Sequence, residues 1–208
     1  MNISILASHN GSVLQAVIDA CNQARIQGRV ACVISNNSQC FALQRAQTAG
    51  ISTAHLSGAT HPSQDALDAA ILQELRGADT DLVVLCGYMK RLGQSTLSYY
   101  KDRILNTHPA LLPRHGGQGF YGRRVHEAVI KSGDLYSGAT VHKVDEHYDT
   151  GEIVAQAKLK LASDETASSL EERVQTIERE LLINFLAKLA VNFHAGNNLY
   201  DIPPSQQA

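Results

Sequence analysis

Leu82-Val83-Val84-Leu85-Cys86 is apolar at every position, and this run constrains the fold more than any other stretch of the chain. A strand with no polar face has to be covered on both sides, as a central strand of a parallel sheet is. The residues before it supply the covering elements. Ile3-Ser4-Ile5-Leu6-Ala7 reads as a strand, and Leu14, Val17, Ile18 and Cys21 then recur at helical spacing on one face. Gly28 is expected to close that helix, ahead of a second strand, Val30-Ala31-Cys32-Val33-Ile34. A helix from Phe41 to Ala49 stopping at Gly50 and a short strand from Thr53 to Leu56 come next. Ser63 has the chemistry of an N-cap for a helix that turns Leu67, Ala70, Ile71 and Leu75 inward and ends at Gly77. A short helix over Ser95 to Tyr100 then leads to a strand ending at Asn106. Strands alternating with helices over about 100 residues define a doubly wound α/β sheet, mostly parallel, with helices on both faces. Ligands of such sheets bind beyond the C-terminal ends of the strands. Ser8-His9-Asn10-Gly11-Ser12, Gly87-Tyr88-Met89 and Asn106-Thr107-His108 all fall there.

After Pro113 the texture changes. Arg114-His115-Gly116-Gly117-Gln118-Gly119 is a glycine-rich loop, and Val125 to Lys131 reads as a helix closed near Gly133. Ala139 to Val144 and Ile153 to Ala157 alternate like strands of an antiparallel extension. A long helix from Thr166 keeps Leu170, Val174, Ile177, Leu181 and Phe185 on one side, and the tail Ile202 to Ala208 is expected to fray. The chain is expected to be one domain with two halves, 1–106 and 107–190, and a tail, 191–208.

With 44% hydrophobic and 18% charged residues and a net charge of −2, the composition is that of an ordinary globular protein. Nothing in it points to nucleic acid or a membrane surface as partner. Met1 to Leu6 lacks the basic flank and long apolar core of a secretion signal, so a cytoplasmic placement is expected. The cysteines at 21, 32, 40 and 86 contain no Cys-x-x-Cys pair and read as reduced thiols, with Cys32 and Cys86 inside apolar runs. Nine histidines raise the question of a metal, but none forms a His-Glu-x-x-His or His-x-x-x-His unit, and no metal is expected.

The chemistry concentrates at Asn106-Thr107-His108-Pro109-Ala110-Leu111-Leu112-Pro113. Residues i and i+2 of a strand point the same way, so Asn106 and His108 aim at one spot before Pro109 stops the ladder. An amide can stabilise a tetrahedral oxyanion, and an imidazole can exchange a proton near neutral pH. A strand end with a satisfied Asn and His is the plainer alternative. Asn10-Gly11-Ser12-Val13 opens a helix and suits a phosphate. With one glycine it is no dinucleotide fingerprint, and without Gly-Lys-Ser/Thr it is no P-loop. A simple cap by Ser12 is the alternative there.

Asn106-x-His108-Pro109-x-Leu111-Leu112-Pro113 resembles the signature of folate-dependent formyltransferases. Asn10-Gly11-Ser12, Gly87-x-Met89 and Thr140-Val141-His142 seven residues before Asp149 match the same family in order, over roughly residues 1–190. The short length and Val174-Gln175-Thr176-x-Glu178 point to the branch that formylates glycinamide ribonucleotide in purine synthesis. The resemblance implies that the amine of that ribonucleotide attacks the formyl carbon of 10-formyltetrahydrofolate, which serves as co-substrate. It implies catalytic roles for Asn106, His108 and Asp149. It puts the ribonucleotide on Asn10, Gly11, Ser12, Val13, Gln175 and Glu178. It puts the folate along Gln64, Leu85, Met89, Lys90, Arg91, Leu92, Leu97, Ile104, Val144 and Asp145. His142, inside an alternating strand, reads as a structural or supporting residue. The partners implied are these small molecules, with the protein a monomer or homodimer.

Four positions depart from the family pattern. His9 stands where glycine is usual and Val13 where asparagine is, and Gln64 and Lys90 stand where arginine is common. These keep three alternatives open: another amine acceptor, a formyl-folate hydrolase, and a catalytically silent folate- or nucleotide-binding module.

Overall fold

The structure is a computed structural model that describes residues 1–200, so the expected fraying of Ile202 to Ala208 lies outside the described residues. The chain divides into two compact units, Met1–Leu105 and a second that begins at Asn106.

The first unit carries β1 (Asn2–Leu6), α1 (Ser12–Asn22), β2 (Arg29–Ser35), α2 (Phe41–Thr48), β3 (Ser52–His55), α3 (Gln64–Gly77), β4 (Leu82–Leu85) and α4 (Gln94–Tyr99). Its strands run in the order β3-β2-β1-β4. Every pairing among them is parallel, with Ile5 opposite Val33 on one side and Val84 on the other. Leu82, Val83 and Val84 have no exposed surface, as their unbroken apolar sequence requires. Ser63 does cap α3, accepting from the Ala66 N–H at 3.1 Å.

Several local expectations are corrected. Helix α1 ends at Asn22, not at Gly28, because the chain wraps back there to bury Ile26 at 1% exposure. Ala24 takes a positive φ of 57°, and the Arg25 and Ile26 N–H groups both return to the Ala20 carbonyl. Gly28 instead makes room for a neighbouring strand. A Cβ there would lie 2.6 Å from the Met1 carbonyl oxygen, beside the Arg29 N–H to Met1 O bond that starts the β1–β2 ladder. On α3 the buried residue next to Leu67 is Asp68 rather than Ala70. Its carboxylate accepts from the Ser95 N–H (2.7 Å), the Thr96 N–H (3.2 Å) and the Thr96 hydroxyl (2.5 Å), satisfying the open N–H groups of α4.

Strand β5 (Ile104–His108) opens the second unit's architecture and carries the chain from one unit into the other. It runs two residues past the expected end, so Asn106 and His108 both belong to the strand. Then come α5 (Arg123–Ser132), β6 (Tyr136–Lys143), β7 (Ile153–Lys160) and α6 (Ala167–His194). Here the order is β5-β6-β7, with β6 and β7 antiparallel. Both hairpin strands are longer than their alternation alone suggested. Gly138 permits this, since any Cβ would strike the Ala157 backbone across the ladder. Gly133 closes α5 in the left-handed conformation. Thr166 and Ser169 form a reciprocal capping box at the start of α6. That helix continues to His194, beyond the point where the tail was expected to begin. Its Leu170 and Val174 pack with Val129 and Ala139, and Ile177 and Leu181 close over that cluster. Parallel strands with helices, followed by antiparallel strands in the C-terminal half, are the α/β class that the sequence indicates. Among the described residues no helix is long and apolar enough to cross a membrane.

Candidate active site

Four side chains of the second unit form a continuous chain of polar contacts. The Asn106 amide nitrogen lies 3.0 Å from His142 Nε2. His142 Nε2 is 3.5 Å from Asp149 Oδ1, and Asp149 Oδ2 is 3.5 Å from His108 Nδ1. The period-2 geometry of β5 sets Asn106 and His108 on one side, and β6 brings His142 to the same place. Asp149 arrives from the β6–β7 loop with a positive φ of 58°, a conformation that Asp tolerates better than most residues.

Backbone groups fix the ring orientations. His108 Nε2 is 2.8 Å from the His115 carbonyl oxygen, which can only accept, so Nε2 carries the proton and donates it. That leaves Nδ1 facing Asp149. His142 Nδ1 donates to the Lys143 carbonyl at 2.8 Å, and its Nε2 is then an acceptor for the Asn106 amide. Asp149 Oδ2 also accepts from the Gly117 N–H at 2.8 Å. The glycine-rich loop thus presents a carbonyl to His108 and an N–H to Asp149. Gly116 lies between them, and a Cβ there would run into Leu112 and come within 3.3 Å of Asp149 Cβ.

Thr140 and Gln156 anchor the segment after His108. Thr140 Oγ1 donates to the Ala110 carbonyl (2.7 Å) and accepts from the Leu112 N–H (3.1 Å). Gln156 Nε2 donates to the Leu112 carbonyl at 3.0 Å and to Thr140 Oγ1 at 2.9 Å.

Burial and charge oppose each other at this site. Burial pulls the His108 imidazole below its ordinary pKa, and this outweighs the Asp149 carboxylate, which pulls it up. Spacing in the sequence brings only the carboxylate into view, so the net direction in the free protein is opposite to the one expected from the residues alone. Asp149 is itself held below the usual carboxylate range. Burial would raise it, but the His142 hydrogen bond, the nearby His108 and the Gly117 N–H together outweigh burial. Behind His108, the buried His126 is pushed down to about 4, by burial first and by His108 second, and its Nδ1 has no partner.

The other sequence-predicted residues lie on both units. In the first unit, Gly11 is the N-cap of α1, at φ 71°, and Ser12 is the first helical residue; Ser12 does not cap the helix. Ser8, buried beneath this loop, donates to Asn36 Oδ1 at 2.5 Å and accepts from the Met89 N–H at 2.8 Å. Arg45, which sequence reasoning missed, donates to the Asn10 carbonyl at 2.8 Å and to its side-chain oxygen at 3.2 Å. Its only sequence signal was position: a cation near the N-terminus of the second helix. Also in that unit, Leu85, Leu92 and Ile104 are buried, Val13, Met89 and Leu97 half-buried, and Gln64, Lys90 and Arg91 exposed. In the second unit Val144 is half-buried. Asp145 folds its own loop, accepting from the His147 N–H (2.9 Å) and the Thr150 hydroxyl (2.8 Å). On α6, Gln175 is half-buried, and burial raises the Glu178 carboxyl against a lowering contact from the Thr107 hydroxyl.

All four cysteines are free, and burial pushes the Cys32 thiol up to about 11, which makes it inert packing. Among the described residues no group of three or more His, Cys, Asp or Glu side chains could hold a metal ion.

An oriented amide, two tautomerically fixed imidazoles and an ionised carboxylate at a strand end define the class: proteins built for acyl-group chemistry at a carbonyl carbon. Comparison with known proteins makes this specific. The formyl transferase family model matches residues 1–186. The phosphoribosylglycinamide formyltransferase of Escherichia coli K12 is 36% identical over 214 aligned positions, covering 100% of this chain and 99% of that one. The Haemophilus influenzae protein of the same name is 37% identical, with 86% and 82% covered. Glycinamide ribonucleotide transformylase 1 from Symbiobacterium toebii superposes with a TM-score of 0.86 at 34% identity, over 92% of this chain and 88% of that one. The chain belongs to the formyl transferase family.

Proposed function

We propose that this protein transfers a formyl group from 10-formyltetrahydrofolate to the primary amine of glycinamide ribonucleotide, as a cytoplasmic enzyme of purine synthesis. The chain of contacts from Asn106 through His142 and Asp149 to His108 is the observation that supports it.

The amine nitrogen attacks the formyl carbon, a new C–N bond forms, and the carbonyl oxygen becomes an oxyanion. The bond to folate N10 then breaks, and a proton passes from the amine to N10 by way of water. Asn106 gives one N–H to His142 and has a second to give the oxyanion. His142 is therefore the residue that aims the amide. A proton reaching His108 Nδ1 during the reaction meets the Asp149 carboxylate, so the imidazolium is stabilised when it forms. Holding the reactants in near-attack contact supplies on the order of 7–11 kcal/mol.

The assignment of ligands follows the family pattern. On the first unit, Asn10, Gly11, Ser12 and Val13 would hold the 5′-phosphate. Gln64, Leu85, Met89, Lys90, Arg91, Leu92, Leu97 and Ile104 would serve the folate. On the second, Gln175 and Glu178 would serve the sugar and glycinamide end, and Val144 and Asp145 the pterin edge. The raised Glu178 carboxyl fits hydrogen bonding to hydroxyl groups of a sugar.

The purified protein, incubated with 10-formyltetrahydrofolate with and without glycinamide ribonucleotide, tests this by tetrahydrofolate release. Release that requires the ribonucleotide is expected. Release without it makes the protein a hydrolase, and binding without release makes it a silent module.

A further inference from the structure

His115 lies outside the chain of contacts described above, yet this one residue links that chain to a second acidic group. Its carbonyl receives the His108 Nε2–H at 2.8 Å, and its own Nε2 lies 2.6 Å from Asp134 Oδ2. Asp134 Oδ1 is taken by the Arg114 guanidinium at 2.7 Å. Both carboxylate oxygens of Asp134, just after α5, therefore hold the start of the glycine-rich loop. His115 sits at φ 54°, a left-handed conformation that a non-glycine residue keeps only when its surroundings hold it there. Its grip on Asp134 is such a restraint. Two residues on, Gly117 gives its N–H to Asp149.

We propose that Asp134 is a positioning residue: through Arg114 and His115 it holds the His115 carbonyl against His108 Nε2, and so fixes His108 in the tautomer whose Nδ1 faces Asp149. The inference rests on the proposed function for its kinetic consequence only. A backbone carbonyl selects a tautomer as long as it stays in place, and this one stays because its residue is clamped at the side chain. Without the clamp, His115 can relax from the left-handed region, the carbonyl swings away, and either ring nitrogen of His108 can carry the proton.

The test reads the ring directly. Long-range imidazole ¹H–¹⁵N spectra of ligand-free protein at about pH 8, where histidine is neutral, report the tautomer. His108→Gln identifies the His108 signals by their loss. The wild type is expected to show the Nε2–H form alone, and Asp134→Ala a mixture of both forms. His115→Ala should resemble Asp134→Ala, and Asp134→Glu should partly restore the single tautomer. In turnover, Asp134→Ala is expected to lower kcat on the order of tenfold to a hundredfold with KM within about twofold, as displacement of a positioned group does. An Nδ1–H tautomer in the wild type overturns the proposal. So does a folded Asp134→Ala or His115→Ala protein with an unchanged ring spectrum and wild-type kcat. Because the spectra need no substrate, an absence of formyl transfer in the wild type would remove the proposed function and leave the ring result standing.

Discussion

His108–Asp149 and His115–Asp134 are both imidazole–carboxylate pairs in the second unit, and they are built for opposite ends. The first is long, at 3.5 Å, with side chains only 4% and 10% exposed. The second is short, at 2.6 Å, with side chains 13% and 14% exposed and an arginine sharing the carboxylate. A short pair with its proton already shared is at rest and serves as a fastening. A long buried pair whose imidazole is held neutral is incomplete until a proton arrives, which is the state a reacting group needs. The difference teaches that contact distance alone ranks these two pairs backwards. The closer pair anchors the loop, and the looser one has the capacity for chemistry.

Substitutions can break this contrast, and the largest effects are expected at the long pair. His108→Ala and Asn106→Ala should each lower kcat by about 10²–10⁴ with folate and ribonucleotide affinity little changed. Wild-type turnover in either would remove its assigned role. Asp149→Asn keeps the shape and removes the charge, and should cost about 10²–10³ in kcat. If Asp149→Asn turns over normally, the long pair is no more than a structural contact.

A second expectation concerns acid. His108 and His126 both have folded pKa values below their unfolded ones, so the unfolded chain takes up protons first as pH falls. Stability that is full above about pH 6.5 is therefore lost toward pH 4, where His126 titrates in the folded protein. For His126 alone, a value of about 4 corresponds to on the order of 3 kcal/mol across that window. His126→Leu should flatten the fall in a series of denaturant titrations between those pH values. An undiminished slope would show that His126 is not held neutral. Asp149 acts in the same direction at lower pH: its depressed pKa gives stability that is present above its unfolded value and lost as pH falls through the folded one.

Gly116→Ala should destabilise by about 1 kcal/mol through overpacking, and should lower kcat by displacing Asp149. The smallest effect is expected at the short pair. Asp134→Ala should change unfolding free energy by only about 0–1 kcal/mol, because partly exposed ion pairs contribute little. A large loss of stability there would mean that the second pair supports the fold as well as the loop.

Much of this was legible in the residues. The unbroken apolar run at 82–86 and the strand–helix alternation around it placed the parallel sheet. The i, i+2 spacing placed Asn106 and His108 on one side of β5. The pairing of His108 with Asp149, distant in sequence, came from the family resemblance, because local patterning does not register a contact made across 41 positions. The boundary at Gly28 failed for a different reason. That glycine answers to a neighbouring strand's carbonyl rather than to the helix before it. The roles of Arg45, His115 and Asp134 were invisible because each depends on where a loop returns. The direction of the His108 shift was missed because burial, the dominant influence, has no counterpart in spacing.

Two of the hydrogen bonds that frame the His108–Asp149 pair come from main-chain atoms, the His115 oxygen and the Gly117 nitrogen. A point substitution can reshape the peptide that carries such an atom, but it cannot delete the atom. The scaffolding around the pair is thereby protected from most single genetic changes in the loop that supplies it. Only replacements that alter the path of the chain, such as loss of Gly116 or entry of a proline, would reach it.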